Sequence, residues 1–298
     1  MPVDSDRLPQ WSWWLPLPLF HLGTWMSLST QFVSGAALWY LPFALGLTLL
    51  LWWGPRVLPA LYLNALLSIP LWGLDWRWAP LYAVSETLAV GVAWLFLRSR
   101  EFDAALTTVA SLVRFILLGV LVPAAIAALG VQANLLLTGV LSSEHWAQAS
   151  LTLWLADSLI ALGVTLPLLS GLTQRLRQRG WARAAPPASA HGSPEKLQTP
   201  PWWALLALLI GLPLSLCMLP LVLILPLIGA MMLVLAMLWG FSGALWGAAL
   251  TVLSVLALPL AGVLVSDLDW TSPQRLEMHF SVLLLMIATL LVGRALSD

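Results

Sequence analysis

Apolar residues fill most of the chain in runs of about twenty, and short polar stretches between the runs hold most of the charged side chains. A helix of that length spans the hydrocarbon core of a bilayer, which is about 30 Å thick. The runs are continuous, whereas strands of a transmembrane β-barrel alternate over about ten residues. The pattern therefore predicts an all-α, polytopic transmembrane helix bundle. Its ten candidate helices lie at 11–31, 34–53, 57–72, 79–98, 112–131, 150–170, 202–219, 221–240, 243–264 and 276–296.

The chain is predicted to cross the membrane ten times, and eight crossings are the alternative. Pro42 and Pro59 interrupt the second and third predicted helices, and the third is short. A re-entrant pair over 34–72 would leave eight crossings, because neither helix would then span the membrane by itself.

Polar connections divide the chain into four parts of one integral membrane domain. Residues 1–10 form an N-terminal tail, 11–170 the first transmembrane helix group and 202–298 the second. The connection at 171–201 begins with a basic run and continues rich in proline and alanine, which is typical of a flexible linker. Its basic part is expected to contact anionic lipid headgroups.

Charge sets the expected orientation. With a cytoplasmic N-terminus and ten crossings, Arg77 and Arg275 are the two basic residues outside, and the other eleven of 13 lie inside. This bias predicts that both termini are cytoplasmic. Tryptophans gather at predicted helix ends, among them Trp52, Trp53 and Trp72, as interfacial anchors do.

Composition limits the classes of function. The chain is 60% hydrophobic and 9% charged, against about 25% charged in soluble domains. Its formal net charge is zero and it has no basic patch interleaved with aromatic residues, so we expect no nucleic-acid partner. The sequence holds no phosphate loop, HExxH or GxSxG motif, and its four histidines and Cys217 lack metal-ligand spacing. We therefore predict no enzyme, no catalytic residue, no cofactor and no metal. Gly243 and Gly247 form a GxxxG pattern, which favours close helix packing.

Two acids fall inside predicted transmembrane helices, where an ionisable side chain is costly and a candidate for function. Glu86 is the eighth residue of helix 79–98, and Asp157 is the eighth residue of helix 150–170. Both helices are predicted to run inward, so each carboxyl lies about 10 Å below the outer end of its helix, in one layer.

Four further residues are candidates for sensing a ligand or signal beside the two acids. Asn64 and His21 lie mid-span, Trp154 precedes Asp157 by three residues on the same helix face, and Ser158 follows it. No arginine or lysine is available at this depth, so we expect at least one acid to be neutral or to be held by hydrogen bonds from Asn64, His21, backbone groups or water. Three roles stay open for this layer: contacts that join helices, a ligand or ion site, and a proton-responsive site.

Four stretches give the chain a family resemblance: "AALWYLPFALGLTLLLWWGPRVLPALYLNALL", "SETLAVGVAWLFLRSREFD", "WLADSLIALGVTLPLL" and "LPLIGAMMLVLAMLWGFSGALWGAALTVLSVLAL". In order and spacing they resemble the first class of MASE domains, the membrane-associated sensor domains of bacterial histidine kinases and diguanylate cyclases. The resemblance covers about 12–296, and Glu86, Trp154, Asp157 and Pro167 fall on its motif positions.

The resemblance implies a sensory input domain in the bacterial inner membrane. It implies membrane lipid and a histidine kinase or diguanylate cyclase output module as partners, fused or separate, and a homodimer is a further option. In this hypothesis a cue binds near Glu86 and Asp157, shifts the last helix and acts through Arg294. The alternatives are a small-molecule or proton-coupled transporter and an assembly subunit without a ligand.

Overall fold

The computed structural model describes residues 8–33, 35–37, 39–98, 102–183, 221–257 and 273–297. The α-helices in chain order are α1 (Pro16–Leu28), α2 (Leu41–Trp53), α3 (Leu58–Ser68), α4 (Ala79–Leu97), α5 (Val109–Arg114), α6 (Val122–Leu137), α7 (Ser143–Ile160), α8 (Leu166–Gln178), α9 (Leu221–Ala257) and α10 (Pro273–Ser297). Short 3-10 turns lie at Gln10–Ser12, Pro55–Val57, Ile69–Trp72 and Trp76–Trp78.

Two π-helical segments join helices without a break. Phe115–Leu121 connects α5 to α6, and Ala161–Thr165 connects α7 to α8. In the described part of the chain, five helical stretches have the length and apolar character of a membrane crossing: Trp76–Leu97, Val109–Leu137, Ser143–Gln178, Pro226–Ser254 and Leu276–Ser297. The fourth of them contains a break in helical geometry at Trp239 and Gly240. The predicted all-α, polytopic membrane fold is confirmed.

Prolines mark the start of several helices. The first turns of α1, α2, α3 and α4 contain Pro16, Pro42, Pro59 and Pro80, respectively. Proline is tolerated there because an N–H in the first turn has no intrahelical partner. Pro42 and Pro59 thus begin helices rather than interrupt them. α1, α2 and α3 have 13, 13 and 11 residues, and each is about 20 Å long or less. Each is shorter than the hydrocarbon core, which supports the re-entrant alternative for α2 and α3.

The sixth predicted helix is longer than expected. It was predicted at 150–170, but α7, the π segment and α8 run without a break over Ser143–Gln178. The sequence after Ser170 is rich in leucine, glutamine and arginine, which are good helix formers, and the helix ends before Gly180, whose φ is +69°. The first residues of the predicted linker are therefore helical. Residues 184–201 and the predicted helix 202–219 lie outside the described residues.

α9 is a helical hairpin. Its backbone leaves helical geometry at Trp239 and Gly240, close to the predicted boundary between 221–240 and 243–264. Gly240 has a φ of +56°, a conformation that glycine adopts without a steric penalty. A Cβ on Gly247 would lie 3.2 Å from Leu235 Cδ1, and one on Gly243 would overlap the Leu235 carbonyl oxygen. The two glycines of the GxxxG pattern thus let the arms of the hairpin pack against each other.

A two-stranded antiparallel ribbon joins α1 to α2. Its strands are β1 (Gln31–Val33) and β2 (Ala36–Ala37), and Gln31 pairs with Ala37. The ribbon replaces the first turns of the helix predicted at 34–53, which begins only at Leu41. Side chains at the end of α1 and just after it hold the connection: Ser27 Oγ accepts from the Leu41 N–H at 3.1 Å, and Thr30 Oγ1 accepts from the Trp39 N–H at 3.1 Å.

Candidate functional site

A cavity of about 70 Å³ opens under the ribbon. We call it the carboxyl cavity. Its walls come from the ribbon and from α2, α3, α4, α6 and α7, together with the turns that flank α2 and α3. The described residues that line it are Gly35, Ala36, Ala37, Tyr40, Phe43, Ala65, Ile69, Trp72, Leu74, Tyr82, Glu86, Ala127, Val131, Leu153 and Asp157. Both acids predicted to share one layer therefore face one space.

Glu86 is held at the cavity by Tyr40. Glu86 is 5% exposed, and the Tyr40 hydroxyl donates to Glu86 Oε2 at 2.6 Å. Glu86 Oε1 is buried and accepts no hydrogen bond from the described residues. Tyr40 lies just before α2, so the ribbon and the start of α2 together fix the position of this donor.

Asp157 faces the same cavity from α7. It is 3% exposed, and its Oδ1 is buried without a hydrogen-bond partner among the residues described. No lysine, arginine or histidine occurs among the fifteen described lining residues. A buried carboxyl without a donor or a counter-charge costs several kcal/mol when ionised, so this arrangement needs a proton, water or a ligand for its stability.

Asn64 and His21 lie in a different network. His21 Nδ1 is 3.3 Å from Asn64 Oδ1, and Asn64 Nδ2 donates to Thr24 Oγ1 at 3.1 Å. Neither Asn64 nor His21 lines the carboxyl cavity. The expectation that they hold the acids is thus corrected: their side chains join α1 to α3, and Tyr40 is the donor to Glu86.

Trp154 and Ser158 flank Asp157 without lining the cavity. The Trp154 indole N–H donates to the Leu121 carbonyl at 3.0 Å, which ties α7 to the π segment before α6. Ser158 is fully buried, and its hydroxyl has no partner in the described structure. Neither side chain therefore contributes to the walls that surround the Asp157 carboxyl.

The aromatic walls of the cavity were not predicted: Tyr40, Phe43, Trp72 and Tyr82. Trp72 was interpreted as an interfacial anchor, but it is 6% exposed and its ring centroid lies 6.0 Å from that of Tyr40. The Tyr82 hydroxyl is hydrogen-bonded to Thr138 on the turn after α6. The sequence shows only that Tyr40 comes just before a helix that begins with proline. That position does not indicate which residue its hydroxyl contacts.

A second polar cluster lies away from the cavity, and we call it the basic-end clamp: Trp52, Asp103, Thr173, Arg177 and Arg183. Arg177 Nη1 contacts Asp103 Oδ1 at 2.9 Å, and the Trp52 indole N–H donates to Thr173 Oγ1 at 2.8 Å. The Arg183 N–H donates to the Trp52 carbonyl at 2.9 Å. α8 and the segment after it are thus joined to α2 and to the loop before α5.

Trp53 contributes to the same end. Its indole N–H donates to the Trp181 carbonyl at 2.9 Å. Trp52 and Trp53 are 7% and 4% exposed, so the interfacial-anchor interpretation is wrong for both, because their N–H groups bond inside the protein. Trp13, Trp14, Trp76 and Trp78 are exposed, as anchors are.

The chain belongs to the MASE1 family, whose family model matches residues 17–298. MASE1 is a family of membrane-associated sensory domains. No curated protein and no solved structure matches the chain. Membership in this family agrees with the multi-pass helical fold. Within the described residues, no group of three or more His, Cys, Asp or Glu side chains has the arrangement of a metal site.

Proposed function

We propose that the bundle is a signal-input domain of the bacterial inner membrane, which reads a cue in the carboxyl cavity and relays it to a cytoplasmic histidine kinase or diguanylate cyclase module. One observation supports this most directly. Glu86 Oε1 and Asp157 Oδ1 are buried without partners among the described residues at one cavity, on helices long enough to cross the membrane. Buried polar groups are normally hydrogen-bonded, and exceptions in native proteins call for a functional explanation.

The continuous helix α7–α8 supports a route for the signal. Asp157, which lines the cavity, and Arg177 lie on the same uninterrupted helix, 20 residues or about 30 Å apart. Arg177 contacts Asp103, which lies in the loop before α5. A displacement of Asp157 would therefore reach the basic-end clamp through a rigid element. The relay through the last helix and Arg294 expected from the sequence stays a prediction beside this route. Arg294 near the end of α10 is 6% exposed and lies over the Phe241 ring at 5.1 Å.

Regulation requires the cue to bind two states of the bundle unequally. In one state the carboxyls and the clamp are as described here. In the other, contacts with the cue reposition Asp157, and the clamp on the same helix rearranges. Coupling of 1–3 kcal/mol between two such sites changes the binding affinity at one of them by about 5–150-fold when the other is occupied.

The test joins residues 1–298 to the catalytic domain of a diguanylate cyclase and measures cyclic-di-GMP in cells over a panel of growth media. The wild-type fusion is expected to vary in output among the media by about fivefold or more. The double variant Glu86→Gln, Asp157→Asn is expected to give one constant output at the same membrane level, because the groups that read the cue are neutral.

Glu144→Gln is the matched control. Glu144 lies on α7 like Asp157, but its side chain is exposed in the first turn. The control is expected to vary with the medium as wild type does. A double variant that keeps the full variation among media would overturn the cavity as the place where the cue is read.

A further inference from the structure

The charge of the carboxyl cavity calls for compensation from outside the protein. Glu86 and Asp157 are 5% and 3% exposed and line one space. The lining that the structure describes has no basic side chain. Two buried carboxyls in this setting are neutralised either by protons or by a cation in the cavity.

The aromatic walls distinguish between these two ways. Tyr40, Phe43, Trp72 and Tyr82 line the cavity with the two acids, and the rings of Tyr40 and Trp72 are 6.0 Å apart with planes 59° apart. The face of an aromatic ring attracts a cation within about 6 Å. It offers no comparable attraction to a protonated carboxylic acid, so aromatic walls around two acids favour a cation.

The donor set does not suit a metal ion. Magnesium and calcium take six or more oxygen ligands, and the remaining lining residues are aliphatic, small or aromatic. Among the residues described, Glu86 and Asp157 form no group of three with a further His, Cys, Asp or Glu. A cation with an apolar part matches these walls better than a hydrated inorganic ion does.

Size limits the cation further. The cavity of about 70 Å³ corresponds to about five to seven water-sized units at 10–15 Å³ each. A molecule of no more than about seven non-hydrogen atoms fits that space. The range includes ethylammonium and ethanolammonium, and drug-sized ligands, whose pockets measure about 300 Å³ or more, fall outside it.

Hydrogen bonding fixes the chemical class. Glu86 Oε1 and Asp157 Oδ1 each lack a donor among the described residues, so a ligand with two N–H groups on its charged nitrogen satisfies both oxygens at once. We propose that the carboxyl cavity binds a small primary organic ammonium ion, with its nitrogen between Glu86 and Asp157 and its carbon atoms against Tyr40 and Trp72. The inference rests on the proposed function for the meaning of binding, because it names the chemical class of the cue.

A primary ammonium group has two sources at this site, a free amine and the ethanolamine headgroup of a membrane lipid. The test therefore uses the full chain in nanodiscs of phosphatidylglycerol alone and, separately, in nanodiscs that also contain phosphatidylethanolamine. Thermal unfolding is followed against ethylammonium chloride, tetramethylammonium chloride and sodium chloride at equal ionic strength.

In phosphatidylglycerol nanodiscs, ethylammonium is expected to raise the melting temperature with saturation. Tetramethylammonium, which lacks N–H donors, should need at least tenfold more salt for the same shift, and sodium should give no saturable shift. If the lipid headgroup is the occupant, phosphatidylethanolamine alone gives the stabilisation in wild type, and added ethylammonium then adds little.

Variants locate the site. Glu86→Gln and Asp157→Asn are each expected to weaken ethylammonium binding at least tenfold, whereas Glu144→Gln leaves it unchanged. If both cavity variants fail to fold, the comparison of ethylammonium with tetramethylammonium and sodium on wild type still decides. Equal shifts from all three salts, or undiminished ethylammonium binding in both cavity variants, would overturn the proposal.

The failure of this inference is separable from failure of the proposed function. A cyclic-di-GMP output that depends on Glu86 and Asp157 without any ammonium selectivity refutes the ligand class and keeps the sensor. Selective binding with an output that ignores both acids refutes the relay and keeps the binding site.

Discussion

Asp103 and Asp157 are both buried aspartates, 4% and 3% exposed, yet their surroundings differ in kind. Asp103, in the basic-end clamp, accepts from the Ala105 N–H at 3.0 Å, from Thr107 Oγ1 at 3.1 Å and from Arg177 at 2.9 Å. Asp157 Oδ1, at the carboxyl cavity, accepts from none of the described residues. A fully paired acid holds a structure together, and an unpaired one leaves bonding capacity for something else. Depth of burial alone would not have separated them.

The largest effect is expected from breaking the clamp. Asp103→Ala removes the partner of Arg177, which is partly buried with a side chain 18% exposed. Loss of one member of a buried ion pair, together with two further hydrogen bonds, should lower the free energy of unfolding by about 3 kcal/mol. Unfolding in detergent monitors this change.

Asp75 supplies the contrast for that substitution. The Arg77 N–H and side chain donate to Asp75, and these bonds keep the pKa of Asp75 below its ordinary value, but the pair is exposed. Asp75→Ala removes an exposed ion pair and one N-cap hydrogen bond, so it should lower the free energy of unfolding far less than Asp103→Ala does. An Asp103→Ala protein as stable as Asp75→Ala would contradict the structural role assigned to the clamp.

A smaller loss of stability is expected at the ribbon above the cavity. Gly35 has a φ of +85°, and a Cβ there would lie 2.8 Å from Leu74 Cδ1. Gly35→Ala should lower the free energy of unfolding by about 2 kcal/mol through backbone strain and this clash. Gly73→Ala is the control, because Gly73 has a φ of +71° with open space around it. The difference between the two measures the packing of the ribbon; equal losses would mean that the ribbon yields freely.

Neutralising the cavity should have the opposite sign from breaking the clamp. Asp157→Asn removes a buried carboxyl that has no donor to Oδ1 among the described residues, so the ligand-free protein should gain about 1 kcal/mol of stability. Glu144→Gln on the same helix should leave stability unchanged, since Glu144 is exposed. Thermal unfolding without added amine decides. A large loss of stability in Asp157→Asn would place Asp157 with Asp103, as a contact that joins helices.

The smallest effect is expected from the donor to Glu86. Tyr40→Phe removes the 2.6 Å hydrogen bond and keeps the ring, so stability should fall by about 1 kcal/mol or less. Tyr62→Phe, on α3 and outside the cavity lining, is the control and should cause no loss. Unfolding of both variants side by side measures the hydrogen bond; equal midpoints would mean that Tyr40 contributes its ring alone.

Helix positions were largely predictable from the apolar runs and the prolines. Runs of membrane length indicated the fold class, and α4 at Ala79–Leu97 nearly coincides with its predicted bounds of 79–98. The extension of α7–α8 to Gln178 was not predicted. A basic segment without proline can form a helix or a linker, and its composition alone does not separate the two. The positive-inside orientation stays a prediction.

The two acids of the site were predictable, and their surroundings were not. Any acid in an apolar run stands out. The equal helix positions expected for the two acids do not hold, since Glu86 is the eighth residue of α4 and Asp157 the fifteenth of α7, yet both line one cavity. The Tyr40 donor lies 46 residues from Glu86, and the ribbon that positions it has no hydrophobic period of its own. Contacts of that kind depend on how elements pack, which a single sequence does not encode locally.

The π segment at Ala161–Thr165 has a consequence for angles. Each residue of an α-helix turns the chain by about 100° and advances it by about 1.5 Å. A π turn holds one extra residue, so the face that α8 presents depends on the presence of that residue. Deleting one residue there would rotate Thr173 and Arg177 by about 100° away from Trp52 and Asp103, while Asp157 stayed in place. The rotation angle about the helix axis between Asp157 and the clamp residues Thr173 and Arg177 is thus set by one short segment in the middle of the helix.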